Sequence, residues 1–326
     1  ENDALLRTIP SPDGKRLLAL YGTEAEPPSA FRIDLFSSDG QFLRNLIPPD
    51  ISCVFPETVA WSPDGRFINF IAHKRALPSP SPTPTPVDPV VPTATPLPGE
   101  LPSPAPTASI APLFPPVASF HTEQIYVCNR DGYDLKPLTI REGLIYFYFA
   151  WSPDSSALVA LACTEEEWNA RERQYKQPAG RPRLLLPDGT ERLLDDGLTE
   201  ALPVWSPDAS KVATAFDTDV AVYDAGGNTP TQGRIPLGDQ LIAASVAYDE
   251  RSGTKKPGAN ANASTTPASA SSAVPASYNP IVSLEWPSPE ALYFKTAYVR
   301  VMPSETINTF QRWHQLNLSA QAAILK

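Results

Sequence analysis

The chain has 326 residues, with 26 Lys or Arg against 36 Asp or Glu, for a formal net charge of −10. That balance excludes nucleic acid as a main partner, because a phosphate-binding surface needs a basic stripe to displace counterions. An apolar share of 42% suffices for one large all-β domain or two smaller ones, and the 39 prolines are more than twice the usual share of about 5%.

No apolar run reaches the roughly 18 residues a membrane-spanning helix needs. A basic segment leading into an apolar one, as in a secretory leader, is also missing, and the opening at Glu1 fits a processed form or a trimmed fragment of a longer precursor. Three cysteines, Cys53, Cys128 and Cys163, allow at most one bridge and do not have zinc-site spacing.

Internal repetition organises what remains. Ser11-Pro-Asp-Gly14 recurs as Trp61-Ser-Pro-Asp-Gly65, then as Trp151-Ser-Pro-Asp154 and Trp205-Ser-Pro-Asp208, and in degenerate form as Trp286-Pro-Ser-Pro-Glu290. In the third and fourth copies Ser155 and Ala209 occupy the glycine slot. Proline presets the first central position of a turn, Asp tolerates the second, and Gly takes the left-handed position after it. Apolar runs on both sides predict a hairpin.

A second hairpin follows in every unit. In chain order the strands are Phe31 to Phe36 with Phe42 to Ile47, Ile125 to Cys128 with Leu135 to Thr139, and Arg183 to Leu186 with Arg192 to Leu194. Val220 to Tyr223 leads into a turn ending at Gly227, and Arg312 to Leu318 precedes Ala322 to Leu325. Four antiparallel strands every 50 or so residues predict β-propeller blades, five recognised, with Leu241 to Tyr248 as a candidate strand of a sixth. The expected architecture is a single all-β propeller domain over residues 1–326. In it the motif aspartates shape turns and Trp61, Trp151 and Trp205 fill the seams between blades.

Trp-Ser-Pro-Asp-Gly before a strand, followed by Ile125-Tyr-Val and Leu138-Thr139, resembles the TolB-type β-propeller repeat and the blades of prolyl-oligopeptidase relatives. The resemblance covers nearly all the chain outside two insertions. Only unit two carries the full string, and five units are fewer than the six or seven such propellers usually have. That resemblance implies an envelope protein complex.

With strands labelled a to d in each blade, the a–b and c–d turns share one face and are tight. All elaborations fall on the other, decorated face. A Pro-rich insertion (77–119) lies within the second blade, and between Pro78 and Pro116 it holds 15 prolines and only two charges, Asp88 and Glu100. Such a stretch favours polyproline II and is read as an arm that docks on a protein partner or a second copy, with Pro82, Pro84, Pro86 and Pro92 as contacts. An Ala/Ser/Thr-rich insertion (250–280) separates the fourth and fifth repeats. The third elaboration, Thr164 to Arg181, reads as a charged loop whose Trp168 either anchors an interface or packs back on its own blade. Cys53 and Cys163 fall on the decorated face of adjacent blades and are the expected pair if a bridge forms, with Cys128 in the core.

Nucleophile elbows, metalloprotease helices, phosphate loops and dinucleotide fingerprints are all missing from the sequence. The sequence therefore reads as a non-catalytic, extracytoplasmic interaction or assembly module without a cofactor. The alternatives are a propeller that binds a glycan or peptide, or a hydrolase or lyase with its site in the channel.

Overall fold

A computed structural model describes residues 3–22, 31–75, 122–227, 230–251, 279–301, 306–318 and 323–325. Blade one comprises β1 (Ala4–Pro10), β2 (Arg16–Gly22), β3 (Phe31–Ser37) and β4 (Phe42–Asn45). In blade two the first strand is split into β5 (Ile51–Val54) and β6 (Ala60–Trp61) by a 3-10 turn at Pro56–Thr58, and both halves pair with β7 (Phe67–Lys74). β8 (Gln124–Asn129) and β9 (Lys136–Pro137) complete that blade. Blade three is β10 (Leu144–Trp151), β11 (Leu158–Thr164), β12 (Arg181–Leu185) and β13 (Glu191–Leu193). Blade four is β14 (Val204–Trp205), β15 (Lys211–Phe216), β16 (Asp219–Asp224) and β17 (Gln232–Pro236). Blade five is β18 (Ile281–Ser288), β19 (Ala291–Val301), β20 (Thr306–Leu318) and β21 (Ala323–Leu325). Each blade is an antiparallel meander, and a single bridge, Phe31 to Cys53, joins the first two into one sheet. The fold is an all-β propeller of four-stranded blades.

The first four motif turns close in the same way. The Ser hydroxyl donates to the Asp two residues on, at 2.8 Å for Ser11, 2.6 Å for Ser62, 2.7 Å for Ser152 and 2.6 Å for Ser206. It also accepts an amide from the start of the next strand, as with Phe67 on Ser62 at 2.9 Å. The aspartates thus satisfy turn donors, as a structural role requires. Gly14 and Gly65 adopt φ of 67° and 69°, and Ser155 and Ala209 are forced into the same left-handed region at 62° and 59°. A Cβ there is strained, so Ala209→Gly is expected to stabilise the fold by about 0.5 to about 1 kcal/mol. Ser155→Gly is expected to gain much less, because Ser155 Oγ accepts the Asp64 amide across the seam at 3.0 Å. Paired urea melts of the two variants would check this.

Seams between blades hold the core. Buried clusters join blade one to two around Leu18, Ile33, Trp61 and Phe70, two to three around Ile71 and Leu158, three to four around Val159 and Trp205, and four to five around Trp286 and Phe294. Two motif tryptophans also reach across their seam: Trp61 Nε1 donates to the Ile9 carbonyl at 3.2 Å and Trp205 Nε1 to the Ala150 carbonyl at 3.1 Å. Among the described residues no buried cluster joins blade five to blade one, and β1 is exposed along most of its length.

Two elements depart from the sequence reading. Leu241 to Tyr248 is not a strand of a sixth blade but part of helix α2 (Gly238–Arg251). Leu241 drops into the seam between blades four and five, and Ser245, one turn on, donates to the Leu241 carbonyl at 3.0 Å and accepts from Asn279 at 2.7 Å. The charged b–c connection of blade three contains helix α1 (Glu165–Arg173). Thr164 starts it with a capping box: its hydroxyl accepts the Glu167 amide and the Glu167 carboxylate accepts the Thr164 amide. No helix among the described residues is long and apolar enough to cross a membrane.

The expected bridge is also corrected. Cys53, Cys128 and Cys163 are all free and buried. Cys53 lies within β5, in the seam between blades one and two, whereas Cys163 packs with Ile145, Phe147 and Leu161 in blade three. Burial raises all three thiols, Cys128 and Cys163 to about 12 each, so they pack as small apolar groups.

Candidate functional site

The decorated face opens into a cavity of about 700 Å³ lined from four consecutive blades. Glu57 comes from blade two, Phe147 and Tyr148 from β10, Leu198 and Leu202 from the segment leading into β14, and Val282 from β18. Leu198, Leu202 and Val282 are 38%, 45% and 39% exposed, so three aliphatic side chains face solvent inside one concavity. Glu57, Glu200 and Asp217 supply carboxylates and Arg171 a guanidinium.

Charged clamps from α1 hold one wall. Arg181 makes a bidentate pair with Glu167, both contacts at 2.7 Å, and its Nε donates to the Asp196 carbonyl at 2.9 Å. Arg171 pairs with Glu200 and donates to the Gln177 carbonyl at 2.5 Å. Gly180 and Thr199 exchange two backbone hydrogen bonds, at 3.0 and 2.9 Å. Helix α1, the loop after it and residues 195–202 therefore form one platform.

Hydrogen bonds from Arg181, and then from the Thr164 amide, hold Glu167 at about 2, well below its ordinary 4.5. A depressed carboxylate contributes stability that is present above pH 4.5 and is lost as pH falls towards 2. Glu167→Gln is therefore expected to lower stability at pH 7 and to flatten the acid limb between pH 4.5 and 2. Urea midpoints measured across that range would show it.

The lining offers shape, apolar contact and a few charges. Its threonine hydroxyls are engaged, Thr58 with the Phe55 carbonyl at 2.8 Å and Thr199 with the Ala215 carbonyl. Burial raises the Tyr148 phenol. The described lining contains no His or Cys, and no group of three potential metal ligands occurs among the described residues.

Trp168 does not stand out into solvent. It packs between Phe55, 5.8 Å away, and Phe147, 5.7 Å away, and so fastens α1 across the seam between blades two and three. The aromatic that does stand out is Tyr175, 99% exposed just after α1, which the sequence reading did not single out. Pro82, Pro84, Pro86 and Pro92, together with the body of both insertions, lie outside the described residues.

No family model matches this sequence, and no curated protein matches it either. Solved structures do. The TolB protein of Agrobacterium tumefaciens is 16% identical, with 72% of this chain and 65% of that one covered at a TM-score of 0.35. Prolyl oligopeptidase B from Galerina marginata is 10% identical, with 98% of this chain and 36% of that one covered at 0.48. The N-terminal domain of Nup159 is 10% identical, with 99% of this chain and 60% of that one covered at 0.46. The chain spans about two thirds of the TolB chain and about a third of the oligopeptidase. These likenesses concern the fold alone.

Proposed function

We propose that this chain is a non-catalytic, extracytoplasmic binding propeller that docks a protein partner or a second copy through its decorated face. One observation carries the reading: three exposed aliphatic side chains are held in a 700 Å³ concavity by a clamped platform. Exposed apolar groups cost solubility, and a rigid concave surface lowers the entropy a partner must lose. The proline-rich segment leaves and re-enters on the same face and serves as a second contact. TolB-like repeats favour an envelope setting, which rests on that resemblance only.

Light scattering on the intact chain and on a form lacking residues 77–119 tests the proposal. Intact protein is expected above the 35.3 kDa of one chain, and the shortened form is expected to associate more weakly than the intact chain at every concentration. Two monomers at every concentration would overturn assembly through the arm. A small ligand in the cavity is the second reading, favoured by a concavity that combines exposed Leu198, Leu202 and Val282 with the carboxylates of Glu57, Glu200 and Asp217.

A further inference from the structure

Helix α1 ends in a Schellman motif. The Tyr175 amide donates to the Glu172 carbonyl at 2.9 Å and the Lys176 amide to the Arg171 carbonyl at 3.0 Å. The residue between them must turn left-handed, a place that glycine normally fills. Here it is Tyr175, at φ 53° and 99% exposed. A bulky side chain in that conformation is strained, and full exposure returns no packing energy within the chain. Arg173 and Lys176, both exposed, flank it and outweigh the exposed Glu172, leaving the tip with a net single positive charge.

On the opposite, plain face a groove of about 430 Å³ runs between blades three and four. Its walls are Ala157, Leu186, Ala209 and Ala225, with Leu186 37% exposed. The only lining cation, Lys211, is paired with Asp224. Turn carboxylates Asp154, Asp188 and Asp208 are exposed beside it. A hydrogen bond from the Thr190 amide lowers Asp188, and one from the Ser206 hydroxyl lowers Asp208, so both stay ionised at neutral pH.

We propose that copies of this chain associate head to tail, with Tyr175 of one copy entering the groove between blades three and four of the next. This rests on the decorated face being a docking face and goes further by naming the anchor and its seat. Charge selects the occupant: an aromatic tip of net positive charge meets a groove with aliphatic walls, a neutralised Lys211–Asp224 pair and three exposed carboxylates on the turns that border it. Topology aligns them. Tip and groove sit on opposite faces of the same sector of the propeller, so stacking along its axis brings them together. Such an interface is heterologous and adds copies linearly. Its small contact area implies weak, salt-sensitive association.

The test is sedimentation equilibrium on the full chain and two variants at exposed positions, Tyr175→Ala and Leu186→Asp. Each variant alone is expected to associate at least about tenfold more weakly than the unaltered chain. An equimolar mixture of the two is expected to associate more tightly than either variant alone, because only there does an intact tip meet an intact groove. Tyr175→Gly should raise the melting temperature by relieving strain while weakening association, which separates docking from folding. If Tyr175→Ala associates like the unaltered chain, or the mixture stays monomeric, this inference is overturned. Should the Tyr175→Ala protein still assemble through residues 77–119, the wider docking reading survives without it.

Discussion

Glu191→Ala is expected to cost about 3 to about 5 kcal/mol, the largest loss from any single side-chain truncation considered. Glu191 sits on β13 with 8% of its side chain exposed, against the seam between blades two and three. It accepts the Tyr146 hydroxyl at 3.0 Å and Arg141 Nε at 3.1 Å, and pairs with Arg183, whose side chain is 9% exposed. Removing the carboxylate strands a buried guanidinium. Arg141, at 59% exposure, can turn to water, and Arg183 cannot. The loss is therefore a desolvation penalty, and variants can be ordered by it. Tyr146→Phe gives up one donor but leaves the Arg183–Glu191 pair in place, and should cost about 1.5 to about 3 kcal/mol. The double change Arg183→Met with Glu191→Leu should recover most of what Glu191→Ala loses, since an apolar pair leaves no charge behind. Urea unfolding of the four proteins decides it. If Glu191→Ala and Tyr146→Phe cost the same, the charge account fails.

The blades were legible because their determinants are local. Ser-Pro-Asp-Gly encodes a turn within four residues, and the structure uses each Ser and Asp for that turn. Paired hairpins, the motif tryptophans in the seams and the decorated face followed from the same repeat. Signals that compete locally were misread. Leu241 to Tyr248 is apolar enough for a strand, yet its three alanines and the Leu241–Ser245 spacing serve a helix once one face meets the core between blades four and five. Thr164 and Glu167 spell a capping box, but within a run of charges the same residues also fit a solvated loop. The cavity had no local signature, since its walls come from four blades and converge only after folding. Tyr175 was invisible for a different reason: its left-handed φ belongs to the backbone, and a tyrosine does not announce it. Cysteine pairing failed because spacing along the chain sets no distance across it.

Gly180→Ala links fold and site in one substitution. Gly180 is buried at the start of the third strand of blade three, where a Cβ would lie 2.8 Å from Phe147 Cε1, 2.9 Å from the Ala162 nitrogen and 3.0 Å from the Ala162 oxygen. A phenyl ring can swing aside, but backbone of the neighbouring strand cannot. The chain at 180 must therefore retreat from β11, straining its paired hydrogen bonds with Thr199. Overpacking of this kind costs about 1 to about 3 kcal/mol. The retreat also loosens the platform, because the Gly180–Thr199 pair and the Arg171–Glu200 contact together hold Leu198 and Leu202 in place. Amide exchange at Thr199 should accelerate well beyond that of Val159 or Leu161, and binding at the decorated face should weaken with it. Gly233→Ala is the control: a Cβ there meets nothing within 4 Å, so stability, exchange and association should stay unchanged. A Gly180→Ala protein that melts lower yet keeps slow exchange at Thr199 and full association would show that the platform does not depend on this contact. The docking surface would then owe its rigidity to the Arg181–Glu167 clamp, which the acid titration of Glu167→Gln probes separately.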